Sequence, residues 1–366
     1  MDFFVSVSYY YLGEIMKRFL IFISILILFF PFGIFAKSTV VMDMDSGRVL
    51  YKSYSDKKSL IASITKVMTC IIVLEKGNLD DIVTVGEEVL PMYGTNIYLE
   101  VGEEISVRDL LYGLMLRSGN DSAVVLATYI SGSEEEFVKM MNSYAEMLGM
   151  TSTNFSNSHG LDDDTKNYST AYDMSLLMKY AYNNSKYLEI IGTKKYKCKS
   201  NLKSYLWYNR VSILDDYKYS LGGKNGYTPA AGKTLISYAK KDDVTLGIVT
   251  LNDSDIYNNH IKLFNEYFDK YSKYKIIDKD KFYIDKSFFE DEIYLKDDFY
   301  YLLSSDELDK ITTLISIYND ESLKVVGNIS IKLDDIEIGN LDIYRNKKKK
   351  QLSFFDKIKN YLLDIL

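Results

Sequence analysis

Strand-like alternation at both ends of a long helical stretch restricts the way this chain can fold. Residues 39–43 and 48–51 flank Asp45-Ser46-Gly47 and read as a β-hairpin. Residues 63–74 are apolar nearly all round (Ile64, Val67, Met68, Ile71, Ile72, Val73), which marks a buried helix rather than an amphipathic one. Ser106-Val107-Arg108-Asp109 is a capping box with Asp in the Glu/Gln place. It opens a helix with Leu110, Leu111, Leu114 and Met115 inward, ending near Ser118. Further helices are expected over 121–129, from Ser133 to a stop at Gly149, and from a Thr170 cap through Tyr180. The period changes after Asp215. Residues 217–224, 234–240 and 244–251 read as strands, and 255–271 as a helix with Ile256, Leu263, Phe264 and Phe268 on one face. Strands from both chain ends then form one antiparallel sheet against which the helices pack, an α+β arrangement.

The flanks differ in kind. Beyond about Lys275, alternation such as Ile329-Ser330-Ile331-Lys332-Leu333 and Leu341-Asp342-Ile343 predicts a small β-rich domain. The chain finishes with the basic run 347–350 and a segment whose Phe354, Phe355, Ile358, Tyr361, Leu362 and Ile365 recur at helical spacing, the pattern of an amphipathic helix seated on a membrane surface. At the other end, Met16-Lys17-Arg18, the apolar run 19–35 and Ala36 read as a cleaved export signal. Residues 1–15 fit no such role, so Met16 reads as the start and 1–15 as a non-native extension. The expected plan is 16–36 signal peptide, 37–272 catalytic domain, 273–345 β-rich domain and 346–366 basic membrane-anchor helix, with the body on the extracytoplasmic face of the cytoplasmic membrane. A net charge of −7 argues against nucleic acid as a partner. Cys70 and Cys198 read as two free thiols, and no Cys/His cluster has metal-ligand spacing, so no metal site is expected.

Three short motifs carry the chemistry: Ser63-Ile64-Thr65-Lys66, Ser118-Gly119-Asn120 and Lys224-Asn225-Gly226. A serine hydroxyl needs a base to act as a nucleophile. The chain has only two histidines, His159 and His260, and Lys66 stands three residues after Ser63, on the same helical face. A lysine acts as a base once burial has disfavoured its charged form, and the apolar surround of 63–74 supplies that burial. Ser118 can relay a proton from Lys66 to a leaving amine, and Asn120 can bond both the lysine and a substrate amide. Lys224, expected at a strand end, can hold an anionic substrate terminus. Gly226 lets substrate backbone lie along the strand, and the N–H groups of Ser63 and Tyr227 are candidates for an oxyanion hole.

This set resembles the S-x-x-K, S-x-N and K-T-G motifs of penicillin-binding proteins and class A β-lactamases. The chain looks like a serine D-alanyl-D-alanine carboxypeptidase of peptidase family S11, a low-molecular-mass penicillin-binding protein, closely over residues 38–252. Residues 42–51, 99–103, 157–161 and 169–173 add to the likeness. The resemblance implies a β-lactamase/transpeptidase-like domain followed by a β-rich domain and an amphipathic C-terminal helix. It also implies that Ser63 attacks the carbonyl between the last two D-alanines of a peptidoglycan stem pentapeptide, that β-lactam antibiotics acylate Ser63 as mimics, and that no metal or organic cofactor is needed. His159, in the 157–161 loop, is then architectural, and His260, on a helix surface or interface, has no role. Ile61 replaces a proline often found there. Asn225 replaces the usual Thr, whose hydroxyl helps bind the substrate carboxylate; losing one such bond costs about 1.5–3 kcal/mol, which tunes rather than abolishes activity. The alternatives are a DD-endopeptidase or a β-lactamase using the same site, or a catalytically weak wall-binding homologue. The β-lactamase reading lacks a Glu-x-x-Leu-Asn segment between Ser118 and Lys224.

Overall fold

The computed structural model describes residues 17, 37–284, 292–318 and 324–346. Apart from Lys17 and Asn346, the expected signal segment (16–36) and C-terminal helix (346–366) lie outside the described residues, as do residues 1–15. No helix among the described residues is long and apolar enough to cross a membrane.

Strands β1 (Ser38–Asp43) and β2 (Val49–Ser53) form the first hairpin. The chain then enters a helical body: α1 (Lys66–Lys76), α2 (Val107–Tyr112), α3 (Asn120–Ser131), α4 (Glu134–Met147) and α5 (Ala171–Tyr182). It returns through β3 (Ser220–Thr228), β4 (Gly232–Lys241) and β5 (Val244–Leu251) and closes with α6 (Ile256–Lys270). The five strands form one sheet in the order β2-β1-β5-β4-β3, and the pairings β1–β2, β1–β5, β4–β5 and β3–β4 are antiparallel. Both chain ends thus contribute, and β3, which carries the third motif, is an edge strand.

The period-2 alternation divides each inner strand between two cores. Val40, Met42, Ile236, Tyr238, Val249 and Leu251 pack with the helical body, where α1 is buried on every side. Val41, Leu235, Ala239, Leu246 and Ile248 pack against Ile256, Phe264, Tyr267 and Phe268 of α6. His260 lies at this second interface, fully buried, with Nδ1 2.7 Å from Ser237 Oγ and Nε2 2.8 Å from Thr250 Oγ1. Caps appear where the sequence places them: the Ser106, Ser133 and Thr170 side chains accept from the backbone N–H groups of Asp109, Glu136 and Asp173. Cys70 is buried, Cys198 half-buried, and both are free.

The β-rich C-terminal domain is separate. β6 (Tyr271–Ile277) pairs with β8 (Phe299–Ser304), while β7 (Glu292–Tyr294), β9 (Ile311–Ile317), β10 (Val325–Leu333) and β11 (Ile336–Asn346) form a sheet ordered β7-β11-β10-β9 around Leu295, Val326, Ile329, Ile331 and Ile343. Arg48, at the end of the first hairpin turn, joins the two domains. Its guanidinium pairs with Glu307, donates to Leu302 O at 2.8 Å, and lies 5.6 and 5.5 Å from the centroids of the Tyr271 and Tyr301 rings.

Two local expectations are corrected. The helix through 118 is α-helical only to Tyr112; a π turn, Gly113–Arg117, delivers Ser118 in a left-handed conformation (φ 65°). Such turns occur often at functional sites. Strand β3 runs on past Lys224 to Thr228, so Lys224 is its fifth residue rather than its end. Gly222 and Gly223 interrupt the side-chain alternation that marks a strand in sequence, which hides its true length.

Candidate active site

The first motif begins before the helix, not within it. Ser63 sits in a 3₁₀ turn, Ala62–Thr65, and Lys66 is the first residue of α1. Ala62 is held at φ 49° and Ser118 at φ 65°, each a conformation costing a non-glycine residue about 1–2 kcal/mol. These are two of seven non-glycine residues with positive φ among the described residues, and they stand directly before Ser63 and at its expected relay. Sequence gave no warning of either.

Lys66 is fully buried. Its Nζ lies 3.1 Å from Ser63 Oγ, 2.7 Å from Asn120 Oδ1 and 2.5 Å from the backbone oxygen of His159. Asn120 is oriented by its own Nδ2, which donates to Tyr93 O at 2.7 Å. Burial, and after it the charge of Lys224, holds the Lys66 ammonium well below its ordinary pKa; Asp121 opposes them. A neutral amine has two N–H groups and one lone pair. Asn120 Oδ1 and the His159 carbonyl can only accept, so they take the two N–H groups. Ser63 Oγ is the one partner of the three that carries a hydrogen, and the lone pair is left facing it.

The His159 carbonyl is held from several sides. Asn157 Oδ1 accepts from Gly160 N–H at 2.7 Å, Thr69 Oγ1 donates to Ser158 O at 2.6 Å, and Asn167 Nδ2 reaches Thr65 Oγ1 and Asn157 O, each at 3.0 Å. His159 thus meets Lys66 through its main chain. Burial, with a smaller contribution from Lys66, lowers its ring pKa to about 3, so the imidazole is neutral. The sequence reading of His159 as architectural missed the carbonyl and the Asn157–Asn167–Thr65 bracket beneath it, for which no motif gives a signal.

The third motif forms the opposite wall. On β3, Lys224, Gly226 and Thr228 are buried, while Asn225 is half-buried and Tyr227 exposed. A Cβ added at Gly226 would stand 2.7 Å from Ser63 N, so the glycine lets this strand lie against the nucleophile's backbone. Burial, then the charge of Arg210, lowers Lys224 to about pKa 7. Its Nζ donates to Asn225 O at 2.6 Å. Ser118 is buried; its backbone N–H donates to Gly113 O, while its hydroxyl has no hydrogen-bond partner among the described residues. Asn225 Nδ2 donates to Tyr257 Oη on α6 at 3.0 Å. Arg210, not singled out in sequence, is exposed, lies close enough to Lys224 to depress it, and donates through Nη1 to Thr95 Oγ1 at 3.3 Å. The arrangement is a buried lysine of depressed pKa beside a serine hydroxyl, faced by a strand that carries a second buried lysine, the groups that serine acyl transfer calls for.

Comparison with known proteins gives that class its family. The family model described as D-alanyl-D-alanine carboxypeptidase, peptidase family S11, matches residues 30–255, and the chain belongs to this family. It is 38% identical over 215 residues to D-alanyl-D-alanine carboxypeptidase DacF of Bacillus subtilis, a match covering 57% of this chain and 55% of the relative. It is 34% identical over 236 residues to DacC of Escherichia coli, covering 59% and 56%. The chain therefore spans little more than half the length of these curated relatives. Among solved structures, penicillin binding protein 6B of Escherichia coli is similar with a TM-score of 0.66 at 28% identity, over 83% of this chain and 93% of that one. Penicillin binding protein 5 of Haemophilus influenzae gives 0.68 at 25% identity, over 85% and 96%. These likenesses extend past the catalytic domain into the β-rich one.

Proposed function

We propose that this chain is a serine D-alanyl-D-alanine carboxypeptidase that trims peptidoglycan stem pentapeptides and is acylated by β-lactams. The observation that carries the reading is the fully buried Lys66 amine, held well below its ordinary pKa by that burial, 3.1 Å from Ser63 Oγ, the one of its three partners that bears a proton. Ser63 Oγ adds to the carbonyl between the two terminal D-alanines as its proton passes to Lys66. The N–H groups of Ser63 and Tyr227 hold the oxyanion, a role supported by the closeness of Gly226 to Ser63 N. Collapse breaks the peptide bond; the departing D-alanine takes the proton from Lys66 through Ser118, whose hydroxyl is uncommitted. Water then adds to the ester by the reverse route, with Lys66 again as base, releasing the shortened peptide. Lys224 and Arg210 supply the positive field for the terminal carboxylate, with Asn225 and Gly226 alongside. The substrate backbone lies along the free edge of β3.

The test is incubation with fluorescent penicillin and, separately, with a diacyl-Lys-D-Ala-D-Ala peptide. Stable label on Ser63 together with free D-alanine is the expected result; a folded protein that gives neither ends this reading.

The cell-wall role of such enzymes supports a body outside the cytoplasm. The basic amphipathic segment after Asn346 is the proposed tether to the outer surface of the cytoplasmic membrane. Truncation after Asn346, which keeps β11 whole, is expected to move the mature protein from the membrane to the soluble fraction. Continued sedimentation with membranes would assign the tether elsewhere.

A further inference from the structure

We propose that the outer face of the hairpin 195–208 is a second contact for the polymeric substrate, where Lys195, Lys197 and Lys199 hold the carboxylates of stem peptides neighbouring the one being cut. The inference rests on the carboxypeptidase reading above and deepens it, from a single stem peptide to the glycan strand that carries many.

Residues 194–210 contain five lysines, Arg210 and no acidic residue, in a chain whose net charge is −7. Lys195–Lys199 pairs antiparallel with Ser204–Tyr208, and strand alternation gives this hairpin two unlike faces. Tyr196, Tyr205 and Trp207 turn inward. Tyr196 stacks on Tyr112 of α2, with ring centroids 3.6 Å apart, and donates to Asp109 Oδ1 at 2.6 Å; Tyr205 donates to Glu103 Oε1 at 2.7 Å. Two of the lysines are already matched: Lys194 pairs with Asp215, and Lys203 with Glu100 and Glu103. Lys195, Lys197 and Lys199 lie on the outer face, exposed, and no carboxylate among the described residues pairs with them. Lys195 Nζ lies 5.4 Å from the centroid of the Tyr208 ring, and Leu206 and Tyr208 are exposed on the same face. The three lysines follow one another in backbone steps of roughly 6.8 Å, a comb of uncompensated charge. Such a comb calls for a repeated anion. Every stem peptide ends in a carboxylate, so a glycan strand bearing many stems is a polyanion. The face is also continuous with the cleft. Tyr208, the register partner of Lys195, stands two residues before Arg210, and Arg210 N donates to Leu116 O at 3.2 Å, two residues before Ser118. Positive charge therefore runs from the arginine beside the scissile end of one stem outward to the lysines. That continuity favours the substrate itself over a lipid surface as the occupant.

The experiment compares the wild type with two triple variants, one combining Lys195→Gln, Lys197→Gln and Lys199→Gln, the other Lys195→Arg, Lys197→Arg and Lys199→Arg. Thermal melting confirms that each folds. D-Alanine release is measured on diacyl-Lys-D-Ala-D-Ala and on pentapeptide-bearing peptidoglycan stripped of phosphate polymers, at low and at high salt. The Gln variant is expected to lose about three- to a hundredfold in kcat/KM on the polymer at low salt, the worth of three exposed charge pairs, and nothing on the short peptide. The Arg variant should match the wild type on both. High salt should bring the wild type down toward the Gln variant on the polymer. The proposal is overturned if the Gln variant equals the wild type on the polymer, if it loses as much on the short peptide, if the Arg variant shares the loss, or if high salt leaves the difference intact. Sedimentation separates the other anions: a loss of binding by the Gln variant seen only with phosphatidylglycerol vesicles, or only with walls that keep their phosphate polymers, also overturns it. Failure of the underlying reading looks different: the wild type then releases no D-alanine from the short peptide and takes no penicillin label.

Discussion

Replacing Lys66 by Met is expected to slow acylation of Ser63 by at least about a hundredfold, toward ten-thousandfold, the range general-base catalysis supplies. The readout is the rate of fluorescent-penicillin labelling, followed by an acyl-enzyme mass spectrum. Met fills the same volume without a base, so Ser63 Oγ loses the lone pair 3.1 Å away. The accompanying pH effect has a definite sign. Lys66 is depressed by burial and by Lys224, and it works in its neutral form, so acylation rises with pH through its lowered pKa. Lys224, depressed to about 7, is wanted as the cation for the carboxylate, so kcat/KM falls again above about 7. A bound carboxylate raises Lys224, which moves the falling limb of kcat to higher pH than that of kcat/KM. Labelling by Lys66→Met at the native rate would remove Lys66 from the mechanism.

The same two lysines couple stability to pH. Their folded-state pKa values lie below the unfolded value, so the unfolded chain binds more protons in the interval between. Stability accordingly rises with pH there, by about 1.4 kcal/mol per pH unit for each lysine, and the gain is complete above about 10.4. Lys66→Met is expected to remove one proton's worth of that slope above neutral pH. A melting curve set from pH 7 to 10 separates this from a general loss of stability.

The proposed chemical pair is legible in sequence because S-x-x-K is local: three residues bring Lys66 within 3.1 Å of Ser63 Oγ, whatever surrounds them. The sheet built from both chain ends is legible for a similar reason, since alternation and helical period differ sharply on either side of Asp215. What stays hidden is everything that depends on main-chain atoms and on contacts between distant segments. The His159 carbonyl that accepts a hydrogen bond from Lys66 lies 93 residues away in sequence, and any residue type could supply it. The π turn that delivers Ser118 looks like ordinary helix in its side chains. The length of β3 is masked by its two glycines, and the partner of Asn225 comes from α6, 32 residues on. Side-chain periodicity reports which face is buried and does not report backbone groups, which is where half of this site resides.

Gly160→Ala is the second substitution of large effect, and it tests that conclusion. Gly160 is at φ +94°, and an added Cβ would stand 2.1 Å from the backbone oxygen of Ala62 and 3.0 Å from Ser63 N. Two penalties add. The left-handed backbone costs alanine about 1–2 kcal/mol, and forcing main chain apart in a packed site costs about 1–3 kcal/mol more. A loss of about 2–5 kcal/mol is thus expected by denaturant titration. Function should suffer beyond stability, because the residue that must yield is Ala62, itself held at φ 49° directly before the nucleophile. Any relief moves Ser63 relative to the Lys66 amine, whose position is fixed independently by Asn120 and His159. Misplacement of about 1 Å costs about a hundredfold in rate. The folded fraction of Gly160→Ala should therefore label with penicillin at least tenfold more slowly than the wild type, about the lower part of that range. Full labelling by a variant that is merely less stable would mean that the Ala62–Gly160 contact serves the fold and leaves the geometry of the nucleophile untouched.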